Sequence, residues 1–129
     1  IRRIMAAQQD PRFLKGVNEF NQRLFFECHE TLEEVWWEEH GEDRLFYQGI
    51  IQIAVGYLKL EEGVLAGSIK LWRSGLEKLA AYPPVHMGVK LDSFIQEVKA
   101  NLEEVEIAYV KGGDSPEIHV PQLSLDASS

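Results

Sequence analysis

The chain has 129 residues, the length of one domain with room for one sizeable core, and its 45% apolar and 26% charged residues are ordinary for a globular protein. No apolar run approaches the ~20 residues that cross a bilayer, so no membrane is an expected partner. No signal peptide is visible in a sequence that starts at Ile1, and the single cysteine, Cys28, cannot form an internal disulfide and suits a reducing cytoplasm.

The net charge of −8 is local: Phe25 to Asp43 holds eight acids and no Lys or Arg, while the remaining acids and bases balance at thirteen each. Phosphate backbones are gripped by clustered Lys and Arg, so no nucleic acid is expected as a partner. A cation, a basic ligand or a basic protein surface suits this stretch. A merely solvated acidic face is the plain alternative for its outer glutamates.

The patterning is helical nearly throughout. Asp10-Pro11 reads as a cap and a first-position proline, opening a helix to about Phe20. Asn21-Gln22-Arg23 reads as a short break. A second helix runs from about Leu24 to His40 and stops at Gly41, a residue suited to the left-handed terminal position. A third follows Glu42-Asp43 and continues to about Glu62. Its "LFYQGIIQIAVGYLKL" is almost continuously apolar, which predicts the central, most buried helix. Gly63 separates it from a fourth, about Val64 to Ala81, where Leu65, Ile69, Trp72, Leu76 and Leu79 recur at core spacing. Tyr82-Pro83-Pro84 ends that helix, and the stretch to Lys90 is expected to be a loop. Asp92 or Ser93 is expected to cap a fifth helix, Gln96 completing a capping box with Ser93. Phe94, Val98, Leu102, Val105 and Tyr109 form its apolar stripe. Beyond Gly112-Gly113 the tail reads as extended, with Ile118, Val120, Leu123 and Leu125 expected in a groove on this subunit or another.

An offset of 39 residues pairs Phe25 with Val64 and Leu32 with Leu71, a thin repeat of a tetratricopeptide-like kind. The expected organisation is all-α: about five helices packed as antiparallel hairpins in a single helical domain over residues 1–111, then an extended C-terminal tail over residues 112–129.

The stretch "CHETLEEVWWEEH", residues 28–40, carries the chemistry. With His29 at zero, Glu33 falls at about 40° and Trp36 at about −20° on the helical wheel. Phe25, Phe26 and Leu32 flank them as an apolar face, and Glu30, Glu34 and Glu38 rotate away. Residues four apart on a helix can share a ligand or bond each other. On the third helix Gln48, Gly49, Gln52 and Gly56 share one side. A helical glycine costs about 1 kcal/mol relative to alanine, so two on one side suggest close backbone approach. In an antiparallel hairpin turning near Gly41, Glu33 faces about residue 50 and His29 about residue 54, with Gln52 between them in height. A buried His, Glu and Gln must satisfy one another or bind something that does.

His29-x-x-x-Glu33-x-x-Trp36 in "FNQRLFFECHETLEEVW", followed by "YQGIIQIAVGYLKLEEG", resembles the bacterial and archaeal domain-of-unknown-function family 309, marked by an HxxxExxW motif. The resemblance spans about Phe13 to Leu79. It implies an all-helical fold and, at the motif, metal binding without an assigned activity. His29, Glu33 and Trp36 take the motif positions, and Glu30, Gln48 and Gln52 match its neighbourhood. Val64 stands where family members often carry asparagine.

Three readings follow. As a metal site, His29 and Glu33 offer an imidazole nitrogen and a carboxylate, and further ligands must come from elsewhere. His40 lies some 16 Å along the axis at ~1.5 Å per residue, which leaves another helix, His86, His119 or a second subunit. As a structural network, Glu33 holds His29, Gln52 satisfies both and Trp36 packs over them. As a catalytic pair, His29 and Glu33 support acid–base or metal-assisted chemistry. Cys28, about 100° away on the wheel, reads as core, and Trp37 and Trp72 as core or rim. The leading expectation is a small cytoplasmic protein binding a divalent metal ion or small cationic ligand in a pocket of His29, Glu30, Glu33, Trp36, Gln48 and Gln52, with His29 and Glu33 as the ligands. The competing one is a helical protein–protein interaction module in which His29, Glu33 and Gln52 form only a hydrogen-bond network. The tail favours a homo-oligomer.

Overall fold

A computed structural model describes residues 10–125. Five helices follow in order: α1 Pro11–Asn21, α2 Phe25–Glu38, α3 Arg44–Glu61, α4 Leu65–Leu79 and α5 Leu91–Val110. A two-stranded hairpin, β1 Val85–His86 and β2 Val89–Lys90, precedes the last of them. Among these residues no helix is long and apolar enough to cross a membrane.

Local chemistry sets most of the helix ends. The Asp10 carboxylate accepts from Arg12 N–H at 2.8 Å at the start of α1. That helix ends on Arg23, whose φ of +65° is the left-handed position usually given to glycine, and Leu24 N–H closes the turn on Glu19 O at 2.9 Å. The third helix ends the same way on Gly63, with φ +80°. Gly41 does not play that part. Helix α2 already stops at Glu38, because Glu39 turns extended with ψ 120°, and Gly41 N–H is taken by the Glu39 carboxylate at 2.9 Å.

Each helix packs on the next along the chain. The central one is α3, with ten of its eighteen residues buried. Aromatic rings tie it to both sides. Phe13 of α1 meets Phe46 and Tyr47 at 5.8 Å between centroids, Phe25 of α2 stacks on Tyr57 at 5.4 Å, and Trp72 of α4 meets Tyr57 at 4.6 Å.

The glycines of α3 do bring a backbone close, and the partner is α4 rather than α2. A Cβ on Gly49 would lie 3.2 Å from Gly75 O and 2.8 Å from Leu79, and one on Gly56 would run into Trp72 Cδ1. The Trp72 indole fills that notch and donates to Ile53 O at 3.2 Å. The helix-two to helix-four repeat fails at its first pair: Phe25 is buried, whereas Val64 is exposed ahead of α4, whose start is one residue later than the offset requires.

The stretch before α5 also differs from expectation. Met87 and Gly88, with φ of +51° and +77°, make a tight turn between β1 and β2. Helix α5 then begins directly at Leu91. Neither Asp92 nor Ser93 caps it, and the Ser93 hydroxyl donates to Lys90 O at 3.3 Å. As far as Leu125 the tail is extended and lies on its own chain; its last four residues lie outside the described ones. Leu123 is buried, its N–H donating to Asn21 Oδ1 at 2.7 Å while Asn21 Nδ2 donates back to Leu123 O at 3.1 Å. Asn101 Nδ2 holds His119 O at 3.0 Å, and Lys90 N–H donates to Ser124 O at 2.9 Å. Ile118 and Val120 pack partly buried against the core, and Leu125 is exposed.

The α3–α4 contact gives a direct test. Gly56→Ala places a methyl into the Trp72 ring and should cost about 1–3 kcal/mol, the range for overpacking. Chemical denaturation followed by circular dichroism measures it, and a loss within error of zero would show that Trp72 is not wedged there.

Candidate functional site

Helix α2 is amphipathic in an unusual way. One side carries Phe25, Cys28, Leu32 and Val35 into the core. The next side carries His29, Glu33 and Trp36, and these face a cleft of about 270 Å³ completed by Gln48, Ile51, Gln52 and Val55 of α3 and Leu71 of α4. Five of the six residues singled out from the sequence therefore meet. Glu30 does not: it is exposed and points away from the cleft, as its wheel position requires.

His29 is held from below. Its Nδ1 lies 3.2 Å from Phe26 O. A carbonyl can only accept, so Nδ1 carries the proton. That leaves Nε2 directed at the Glu33 carboxylate, with Nε2 to Oε2 at 3.4 Å. This is an ion-pair distance and longer than a good hydrogen bond. The imidazole side chain is 25% exposed and the Glu33 side chain 44%. The expected inward, buried pair is thus a pair at the mouth of a cleft, because α3 covers only one flank of α2.

The closed polar network is not formed. Gln52 Oε1 is buried without a hydrogen-bond partner, and Trp36 Nε1 is likewise unpartnered. Gln52 bonds neither His29 nor Glu33 among the described residues. These orphaned atoms belong to residues lining the same cleft, where each leaves a desolvation cost uncompensated.

Arg44 was not anticipated. Its guanidinium lies 4.1 Å from the centre of the Trp36 ring, and Nη1 donates to Trp36 O at 2.8 Å and Glu39 O at 3.0 Å. One side chain therefore caps the α2 C-terminus, where a cation is favoured, and stacks on the indole that walls the cleft. The available signal was its position: it is the first basic residue after Arg23 and sits just past the turn.

The remaining candidate ligands lie elsewhere. His40 is in the exposed turn after α2. His86 Nε2 pairs with Asp43 Oδ1 at 2.6 Å, its ring packed on Phe46 and Tyr82. His119 lies on the tail segment that Asn101 holds through the His119 carbonyl. Among the described residues no group of three or more His, Cys, Asp or Glu side chains is arranged to hold a metal ion. Cys28 is fully buried, and burial, reinforced by the Glu19 charge, pushes its thiol up to about 12, so it serves the core as a neutral side chain. Trp72 is core and Trp37 is exposed rim.

Comparison with known proteins finds similarity through the segment that forms this cleft. The chain is 28% identical over 120 residues to an uncharacterized protein of Aquifex aeolicus (strain VF5), an alignment that takes in 92% of this chain and 34% of that one. The chain thus spans about a third of that relative's length. Residues 13–71 match the family model described as Domain of unknown function (DUF309). That matched segment carries His29, Glu33, Trp36, Gln48 and Gln52.

Proposed function

We propose that the α2–α3 cleft is a binding site for a small cationic group, with His29 Nε2 and Glu33 Oε2 as its receiving pair. The observation that carries this reading is the arrangement of the imidazole. With Nδ1 committed to Phe26 O, a neutral ring turns a lone pair toward a carboxylate oxygen 3.4 Å away. Two acceptors at that distance call for a positive or donor-bearing group between them. Gln48 and Gln52 line the opposite wall, and the Trp36 indole supplies an apolar side.

A second reading, a divalent metal ion, draws on the same geometry. Two ligands bound at about 2.0–2.1 Å to a tetrahedral ion lie roughly 3.3–3.4 Å apart, and His29 and Glu33 lie 3.4 Å apart. A second ring nitrogen held by a carbonyl is a common way to orient a ligating histidine. The donor set supplies two such ligands, so an ion held here keeps water on its other positions and exchanges readily.

Titration calorimetry with methylguanidinium, methylammonium, Zn²⁺ and Mn²⁺ tests both readings. At least one of these cations should bind the wild type, and Glu33→Gln should weaken that binding tenfold or more by removing the charge while keeping the shape. Equal binding by Glu33→Gln, or none by the wild type, would sink the proposal.

Stability separates a site from a scaffold. Because the pair is partly exposed and Gln52 Oε1 is unpartnered, Glu33→Gln and Gln52→Leu should each change the ligand-free stability by no more than about 0.5 kcal/mol. Breaking a closed buried network would instead cost about 1–3 kcal/mol. Denaturant midpoints of the two variants decide between them.

A further inference from the structure

The cleft does not end where its polar residues do. On α2, Phe26, Glu33 and Trp37 recur at helical spacing and form one ridge along its lip, about 16 Å from Phe26 to Trp37 at ~1.5 Å per residue. The two aromatic ends of that ridge are open to solvent, Phe26 by 50% and Trp37 by 66%. On α3, Leu45 precedes Gln48 and Gln52 on the same side and is 49% exposed. An acceptor pair is thus flanked by bare apolar side chains, Phe26 at one end and Trp37 with Leu45 at the other. A small free cation would leave all three in water.

Charge points the same way. Glu38 on the far side of α2 is bonded by Arg12, and Lys15 of α1 is near Glu27 and Glu34. The ridge itself carries Glu33, with Glu30 turned away behind it, and among the described residues neither has a Lys or Arg partner. The cleft volume of about 270 Å³ falls below the roughly 300–1,000 Å³ of pockets that enclose whole ligands, and it is ample for the end of one side chain. Exposed aromatic residues beside a charged recess are a common composition of polypeptide-binding surfaces.

We infer that the cation received by His29 and Glu33 is the basic side chain of a partner polypeptide, whose flanking apolar residues cover Phe26 on one side and Trp37 and Leu45 on the other. This rests on the cleft being a cation site, and it adds the partner's chemistry: an arginine or lysine between apolar neighbours. The ridge contributes contact area and long-range attraction, and the cleft contributes selectivity for the base.

The test compares three probes by calorimetry: capped arginine amide, a capped peptide with one arginine flanked on both sides by leucines, and the same peptide with glutamine in place of arginine. The wild type should bind the arginine peptide at least tenfold more tightly than capped arginine, and the glutamine peptide at least tenfold more weakly than the arginine peptide. In a Phe26→Ala/Trp37→Ala variant the tenfold gain should vanish while capped arginine binds as before. Both side chains are surface groups, and circular dichroism confirms that the variant is folded. If capped arginine binds and the peptide binds no better, or the gain survives in the double variant, the partner inference fails and the cation site stands. Equal binding of the glutamine peptide also overturns the inference. If neither arginine probe binds, the inference fails; loss of the cation reading as well requires that methylguanidinium, methylammonium, Zn²⁺ and Mn²⁺ all fail to bind.

Discussion

The close approach of α3 to α4 is the constraint on which the rest depends. Gly49 and Gly75 let the two backbones meet, and the Trp72 indole enters the notch at Gly56 with its N–H bonded to Ile53 O. Once that face of α3 is taken, only its other sides are left for α1 and α2. The aromatic side chains Phe46, Tyr47 and Tyr57 then receive Phe13 and Phe25 from the earlier helices. Gln48 and Gln52 fall between the two packed faces, where α2 covers them incompletely. The cleft is therefore a by-product of helix packing, a seam left where one helix cannot cover both neighbours.

What makes that seam chemically distinctive is its polar content. A helix seam is normally filled by aliphatic side chains or sealed by a complete hydrogen-bond network. Here it contains an imidazole oriented by a backbone carbonyl, a carboxylate at ion-pair distance from it, and two buried polar atoms without partners. Such a set contributes little to stability, so its presence asks for an occupant. Arg44 makes the arrangement rigid at one end by joining the α2 carbonyls to the Trp36 ring. The acidic bias of α2 then divides by direction. The outward acids near α1 meet Arg12 and Lys15, whereas Glu33 in the cleft meets no Lys or Arg among the described residues, which favours negative potential at the open side.

The tail and the small hairpin serve the other end of the core. Asn21 and Asn101 each use a side-chain amide to hold an extended backbone that has no helix or sheet of its own to satisfy it. Leu123 then reaches the core beyond α5. Ile118, Val120 and Leu123 of the tail thus pack on this chain, and the exposed apolar surface beside the cleft is supplied by α2 and α3.

Much of this was legible in the letters. Helix spans, the breaks at Asn21–Arg23 and Gly63, and the central place of α3 follow from periodicity and turn chemistry, which are local. The adjacency of His29, Glu33 and Trp36 is equally local, since any helix through residues 28–38 brings them together. Other features are set by contacts between segments distant in sequence. Which face of α3 the glycines serve depends on α4. Whether Gln52 bonds the pair, and whether Glu33 is buried or open, depends on how far α3 covers α2. The guanidinium of Arg44 finds Trp36 only because the hairpin turns where Glu39 becomes extended. By itself the sequence determined which groups share a side of a helix. Only the tertiary structure decided that they line an open cleft and form no closed network, because coverage by neighbouring helices is a non-local property that no helical period encodes.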